Sequence, residues 1–417
     1  RPVGGRVERG PESYAASRMR ARLVWPQRSA TALGFFSSRA PDRQESIISR
    51  TSSPSVTATL GPVRQTYAGN AEFPPLTRAY RDVQQVVKET GLLQRTPVFY
   101  TLIGAALVIA FAGCVAGFLL LGDSWFQLLI AAALGIVFTQ VAFLAHEAAH
   151  RQILSTGPAN FRLARVLAGI IGMSYHWWDS KHTRHHGNPN QVGKDPDIQV
   201  DTISFLEEDA AQSRGIIRLI TRKQGWLFFP LLTLEGLNLH YLGLKHLMTR
   251  KNVKGRWTEL GLIVLRFAVI LVPLFLLLPV GMAFAFLGVQ LAVFGVYMGA
   301  SFAPNHKGMP VIAPDAKLDF FSKQVRTSRN IRGGWWVTGL MGGLNHQVEH
   351  HLFPNMSRLH LSKARGIVRD YCAANSIPYT ETSLGQSYAI VIAYLNRVGL
   401  AARDPFDCPA AAQLRRA

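Results

Sequence analysis

The sequence predicts an all-α integral membrane protein, with four transmembrane helices arranged as two hairpins and a cytoplasmic helical cap that carries a two-metal site. Three observations support this fold class: long apolar runs, basic segments on one side of them, and clustered histidines. Of 417 residues, 48% are hydrophobic and only 17% are charged, which is unusual for a soluble protein. The net charge of +20 indicates an anionic partner, and the apolar runs favour a phospholipid surface over nucleic acid.

Four apolar runs are each long enough to cross a hydrocarbon core of roughly 30 Å at about 1.5 Å per helical residue. Only Asp123 and Ser124 separate the first two runs, and Pro279–Gly281 separates the last two, so each pair is predicted to form a hairpin. Arg266 lies in the third run, and we expect its side chain to extend to the headgroups. A weaker run, Trp226–Leu244, predicts an interfacial helix. The predicted spans are about 97–122, 125–145, 260–278 and 282–301.

Lys and Arg residues distinguish the two sides of these spans. Neither hairpin turn contains Lys or Arg, whereas the segments before the first span, between the second and third, and after the fourth are strongly basic. The positive-inside rule therefore places those segments, both termini and the histidine clusters in the cytoplasm. Three scattered cysteines fit a reducing compartment, and we expect a multi-pass protein of a bacterial plasma membrane.

The two ends of the chain are predicted to lie outside the membrane domain. Residues 1–70 are rich in Arg, Ser, Pro and Gly and are predicted to be disordered. We interpret them as sequence that lies upstream of the true start codon. The alternative is a transit peptide. The membrane domain is predicted over residues 71–384, beginning with a short amphipathic helix within Phe73–Gly91. Residues 385–417 are predicted to form a C-terminal tail.

Most histidines of the chain lie in three tight clusters on the predicted cytoplasmic side. Spacings of three and four residues place the imidazoles of each cluster on one face of a helix. Burying so many imidazoles without partners is costly, and nitrogen ligands suit Fe, Zn or Cu rather than Mg or Ca. Seven or eight ligands exceed the need of one metal and suffice for two. The candidate metal ligands are His146, His150, His182, His185, His186, His306, His350 and His351.

Polar residues beside these histidines are further candidates for the site. We interpret Glu147 and Glu349 as carboxylates that orient imidazoles through their free N–H groups. The first cluster also matches HExxH, in which Glu147 would be the general base of a zinc protease. Such a protease needs only three protein ligands, so it leaves the other clusters without a purpose. The additional candidates for ligation or support are Gln347, His346, Asn305 and Asp179.

The ordered clusters resemble the histidine boxes HxxxH, HxxHH and (H/Q)xxHH of the membrane fatty acid desaturase family. The chain has HEAAH at 146–150, HTRHH at 182–186 and QVEHH at 347–351, and the resemblance covers about 73–384. The branch that acts on acyl-CoA and acyl-lipid substrates is resembled specifically by three strings: WWxxKH at 177–182, DPDI at 195–198, and NxQVEHHLFP at 345–354. The resemblance implies that the box histidines and His306 bind two iron ions. Gln347 resembles the first residue of the third box in front-end desaturases, although the HPGG motif of a fused cytochrome b5 is missing.

The resemblance implies an O2-dependent fatty acyl desaturase, an oxidoreductase of lipid metabolism and fatty acid biosynthesis. Removing hydrogen from an unactivated methylene needs an oxidant that acid–base side chains do not supply. The substrate would be an acyl chain carried on CoA or lipid. The electrons for the reaction would come from a separate protein, a ferredoxin or cytochrome b5 with an NAD(P)H-dependent reductase. The alternative on the same fold is a di-iron hydroxylase or ketolase of a lipid or hydrocarbon. A non-enzymatic metal-storing protein gives no reason for a site that faces hydrocarbon.

Overall fold

The computed structural model describes residues 79–403, so the predictions for residues 1–70 and for 404–417 lie outside the described residues. Within this range the chain forms sixteen α-helices and a pair of three-residue parallel strands, β1 (Asn330–Arg332) and β2 (Glu381–Ser383). The helices are α1 (Ala79–Glu89), α2 (Pro97–Leu121), α3 (Gln127–Ala149), α4 (Gly157–Ile170), α5 (Tyr175–Gly187), α6 (Glu207–Gln212), α7 (Gly215–Thr221), α8 (Gln224–Leu232), α9 (Glu235–Thr249), α10 (Arg256–Leu277), α11 (Val280–His306), α12 (Phe320–Thr327), α13 (Trp335–Leu340), α14 (Gln347–Leu352), α15 (Arg358–Ala374) and α16 (Leu384–Leu400).

Four of these helices, α2, α3, α10 and α11, are long and apolar enough to cross a membrane, which confirms the predicted all-α membrane fold. The helices α3 and α11 pack closely because Gly135 has no side chain. A Cβ atom at Gly135 would lie 2.9 Å from the backbone oxygen of Gln290, closer than atoms approach without strain. This close packing brings together the C-terminal ends of α3 and α11, where His146 and His306 lie.

The predicted interfacial segment forms two helices, α8 and α9, that pack on α11. Gly236 and Gly295 permit this contact, because a Cβ atom at Gly295 would lie 2.5 Å from the backbone nitrogen of Gly236. The opposite face of α9 exposes apolar side chains at helical spacing. These exposed residues are Leu237, Tyr241, Leu244 and Met248.

Arg266 does not extend to the headgroups as expected, since its side chain is only 7% exposed. Its guanidinium carbon lies 5.2 Å from the ring centroid of Phe138 and 5.0 Å from that of Phe267. Cation–π contacts of this kind offset part of the cost of removing a guanidinium from water. The expectation is wrong because two aromatic faces are available close to the middle of α10.

The segments after α11 and the first helix build a cap with its own apolar core. Val83 of α1, Phe321 of α12 and Val348 of α14 are completely buried in this core, together with Val368 of α15. The helix α16 also belongs to the fold: Gln224 Nε2 donates to the backbone oxygen of Leu395 at 3.0 Å. The segment predicted as a tail from residue 385 therefore begins with a packed helix.

Candidate metal centre

Four helices supply the candidate ligands. His146 lies in the last turn of α3 and His150 immediately follows that helix, while His306 is the last residue of α11. The helix α5 begins at an N-cap, where the Ser174 hydroxyl accepts a hydrogen bond from Trp177 N. It carries the three histidines of the second box, and α14 carries those of the third.

The eight candidate ligands form two adjoining groups, within each of which the ligand atoms lie no more than 4.8 Å apart. The groups adjoin because the rings of His186 and His351 stack with centroids 4.2 Å apart. The five-histidine group consists of His146, His150, His182, His186 and His350. The three-histidine group consists of His185, His306 and His351.

Ring nitrogens within each group converge at distances that suit a shared metal ion. Two ligands about 2.1 Å from one metal are about 3.0 Å apart at a right angle and about 3.4 Å apart at the tetrahedral angle. His351 Nε2 is buried and has no hydrogen-bond partner, so its lone pair is also available. The Nε2–Nε2 distances are 2.9 Å for His150 and His182, 3.1 Å for His146 and His182, 3.2 Å for His186 and His350, and 3.3 Å for His185 and His306.

The environment keeps most of these imidazoles neutral, as metal ligation requires. Burial lowers the pKa of His150 to about 3. Burial, followed by repulsion from neighbouring histidines, lowers the pKa of His182 and His350 well below the usual range. His185 differs: burial lowers its pKa, but the carboxylates of Asp197 and Asp195 outweigh burial and raise it.

Three residues that the sequence analysis did not assign to the site accept hydrogen bonds from the Nδ1 atoms of the three-histidine group, the ring nitrogens that face away from the other ligands. Both carboxylate oxygens of Asp195 lie 3.1 Å from His185 Nδ1. Asp195 lies in a string that resembles the desaturase family, so a signal was present, but Gln324 and Thr327 lie in a segment without any motif. Gln324 Oε1 accepts a hydrogen bond from His351 Nδ1 at 2.8 Å, and the Thr327 backbone oxygen accepts one from His306 Nδ1 at 2.9 Å.

Within the described part of the chain, the carboxylates of Glu147 and Glu349 bind groups other than imidazoles, contrary to the interpretation from the sequence. Glu147 accepts two hydrogen bonds from Arg358, at 2.7 and 2.6 Å. Glu349 accepts hydrogen bonds from Asn330 Nδ2 and the Tyr379 hydroxyl, both at 2.7 Å. Each glutamate directly follows or precedes a ligand in a helix, so it points about 100° away from that ligand. The pairing of Glu147 with Arg358 also argues against its role as a protease base.

The remaining candidates take different places. Gln347 Nε2 lies 2.9 Å from His306 Nε2, and Gln347 Oε1 accepts a hydrogen bond from Asn305 Nδ2 at 3.2 Å. Gln347 and Asn305 therefore border the three-histidine group. His346 belongs to neither group, and its Nε2 lies 3.3 Å from Asn345 Nδ2. Asp179 also belongs to neither group and lies beside Tyr175.

A pocket of mostly apolar residues opens beside His146. Ala142 and Ala168 contribute small side chains that leave space, while Trp178 and Phe302 supply aromatic walls. The accessible space is only about 30 Å³, far smaller than a typical ligand pocket, so it marks an apolar approach to His146 and not a complete site for a hydrocarbon chain. The other lining residues are Ala145, Ile171, Met173, Ser174, Tyr175 and Met298.

Together, four apolar helices and two histidine groups define a membrane protein that is compatible with a metal centre. The family model Fatty acid desaturase matches residues 123–383. The Delta(8)-fatty-acid desaturase of Helianthus annuus is 28% identical over 356 residues, covering 79% of this chain and 75% of the relative. The Delta(6)-fatty-acid desaturase of Caenorhabditis elegans is 24% identical over 346 residues, covering 79% and 76%. The chain belongs to the fatty acid desaturase family and is an oxidoreductase, as predicted.

Proposed function

We propose that the two histidine groups hold a pair of iron ions and that the protein uses O2 to introduce a double bond into an acyl chain carried on CoA or lipid. The convergence of eight histidines on two adjoining positions beside an apolar pocket supports this proposal. Nitrogen donors accept Fe, Zn or Cu, but zinc has no redox chemistry and therefore cannot pass electrons to O2. Iron would supply the oxidising power for a reaction in which the acyl chain loses two hydrogen atoms, and O2 takes up these, two donor electrons and two protons to leave as two water molecules.

The protein's own residues would bind and orient the acyl chain. Ala142 and Ala168, which line the small apolar space beside His146, would face the methylenes nearest the metal, and Trp178 and Phe302 would shield them from water. The ring of Trp178 stacks on that of His182 with centroids 4.4 Å apart. Trp178 therefore contacts both a candidate ligand and the apolar pocket. It would hold the acyl chain at a set distance from the metal.

We infer front-end regiochemistry, in which the new double bond lies between an existing one and the carboxyl end. Two observations support this inference. Gln347 occupies the first position of the third box, as in front-end desaturases. The relatives described above are named for Delta(8) and Delta(6) activity. A further relative, from Borago officinalis, is named an acyl-lipid (9-3)-desaturase. It is 28% identical over 314 residues, which cover 72% of this chain and 65% of the relative.

We further propose that the metal centre and both ends of the chain face the cytoplasm, following the distribution of Lys and Arg. A separate protein, a ferredoxin or cytochrome b5 with an NAD(P)H-dependent reductase, would deliver the electrons. The basic surface suits an acidic donor. A bacterial plasma membrane stays a prediction, since the relatives named above come from plants and an animal.

The decisive test is expression of the full chain in a host membrane with a ferredoxin and its reductase, followed by mass spectrometry of the fatty acids. We compare His185→Ala, which removes a ligand, with His360→Ala, whose ring contacts the backbone oxygen of Leu92 outside both groups. The wild type and His360→Ala should give a new double bond, and its position tests the front-end assignment. His185→Ala should give none.

Other outcomes have defined meanings. A hydroxylated product that depends on His185 would replace desaturation with the hydroxylase alternative. No product with any donor, together with zinc instead of iron in the purified protein, would contradict the proposal.

A further inference from the structure

The two histidine groups differ in how their outer ring nitrogens are held. Every member of the three-histidine group donates from Nδ1 to a protein oxygen, which turns Nε2 inward. Within residues 79–403 the structure shows no such bond from Nδ1 of any member of the five-histidine group, and His146 Nδ1 is buried without a partner. The three bonds are those of His185 with Asp195, His306 with Thr327 and His351 with Gln324.

Asp195 is the only charged acceptor among these three hydrogen bonds. A second carboxylate, that of Asp197, lies 3.4 Å from His185 Nδ1, but its side chain is 35% exposed whereas that of Asp195 is 0% exposed. Asp195 is fully buried, and its Oδ2 accepts a hydrogen bond from Asn190 N at 2.7 Å. Its Oδ1 accepts one from Asp197 N at 2.9 Å, which caps the short 3-10 turn Pro196–Ile198. A carboxylate fixed by the backbone in this way holds the imidazole of His185 in one orientation and one tautomer.

The charge of Asp195 has a specific effect on one group. A carboxylate that accepts from Nδ1 makes the opposite nitrogen of the same ring a stronger donor to a cation. It also adds negative charge close to a position with only three histidines, whereas the other position has five. The protein therefore supports the poorer ligand set with an additional carboxylate.

We propose that Asp195 is the positioning residue that retains the metal ion of the three-histidine group, and that it has little effect on the five-histidine group. This inference rests on the proposed di-iron function. Removing an acceptor of this kind lowers metal affinity by about 10- to 100-fold, so the loss should fall on one ion of the pair.

The test measures iron release from the purified, iron-loaded full chain into an excess of ferrous chelator. We expect the wild type to release two irons per chain, and Asp195→Asn to release one of them about 10-fold faster or more while the other is unchanged. The matched control is Asp201→Asn, because Asp201 is exposed and its carboxylate accepts hydrogen bonds from the neighbouring Thr202, away from both histidine groups. Gln324→Leu, which removes the acceptor of His351, should accelerate the same phase.

Equal acceleration of both phases, or no change in either, would overturn the inference. If Asp195→Asn does not fold, Asp195→Glu keeps the charge but displaces it, and should also accelerate one phase only. The proposed function fails separately, through a wild type that binds no iron or makes no product. A wild type that is active and holds two irons leaves the release kinetics as a test of Asp195 alone.

Discussion

Arg358 and Glu147 form a two-point ion pair inside the protein, although they are 211 residues apart in the chain. Their side chains are 5% and 3% exposed, and Tyr100 contributes a third contact to Glu147 at 3.3 Å. The pair joins α15 of the cap to α3 at the residue after His146. The cap is thus attached to the membrane helices directly beside a candidate ligand.

Breaking this pair should destabilise the fold. Arg358→Met leaves the Glu147 carboxylate buried and unpaired, which costs about 3 to 5 kcal/mol. The double variant Arg358→Met/Glu147→Leu should regain most of that loss, because no charge then remains buried. The measurement is thermal unfolding in detergent. Arg369→Met is the control, since Arg369 and Asp370 form an exposed pair worth at most about 1 kcal/mol. Equal effects of the two single variants would contradict the prediction.

Gln347 and His346 should differ in their effect on metal binding. Gln347→Ala removes an amide from the edge of the three-histidine group, so we expect about 10-fold weaker retention of one iron or more. Gln347→His supplies an imidazole in the same place and should retain two irons. His346→Ala should also retain two, because His346 lies in neither group. Elemental analysis of the purified variants provides the measurement, and iron loss in His346→Ala alone would reverse this assignment.

Filling the apolar pocket should block the reaction without releasing metal. Ala142→Phe places a ring in the space next to His146, so we expect product formation to fall by about 10-fold or more through lost substrate positioning. Ala105→Phe makes the same change on the exposed surface of α2 and should be neutral. Product yield and iron content are both measured; unchanged desaturation in Ala142→Phe would show that the acyl chain binds elsewhere.

The contact of α9 with α11 should tolerate no side chain at Gly295. Gly295→Val forces Cβ atoms into the backbone of Leu232 and Gly236, and overpacking of this kind costs about 1 to 3 kcal/mol. Gly288→Val on the same helix meets nothing within 4 Å and should leave stability unchanged. Size-exclusion profiles and thermal unfolding compare the two; a stable Gly295→Val protein would mean that the helices can separate.

Cys372 should resist alkylation at every pH that preserves the fold. Its thiol is completely buried, and burial raises its pKa to about 12. The reactive thiolate therefore stays rare, and the labelling rate should stay low between pH 7 and 9, whereas an ordinary thiol reacts faster as it ionises near pH 8.5. Maleimide labelling of a variant with Cys372 alone is compared with Asp370→Cys in a cysteine-free background. Rapid labelling of Cys372 without denaturant would show an open cap.

The sequence was sufficient to predict the four membrane helices, because their apolar runs are long and nearly free of charge. It was also sufficient to predict the eight histidines that the structure brings together. It did not predict their division, since His185 and His186 are neighbours on α5 and yet belong to different groups. Sequence order does not reveal the rotation of a helix relative to distant segments.

The supporting contacts were harder to predict for a related reason. Gln324 and Arg358 approach the site from helices far along the chain, and neither lies in a motif. Glu147 and Glu349 are next to candidate ligands in the sequence, which suggested that they orient imidazoles. In a helix, however, adjacent side chains point about 100° apart, so these carboxylates face away from the ligands. Arg266 was expected at the surface because hydropathy does not indicate which aromatic rings lie beside a helix.

Consecutive residues in two helices serve different positions: His185 and His186 of α5, and His350 and His351 of α14, each divide between the two groups. Neighbouring Cα atoms are always about 3.8 Å apart, so covalent geometry limits how far the two positions can separate. The spacing of the proposed iron pair would therefore be limited mainly by the two short helices α5 and α14, each of which contributes to both positions.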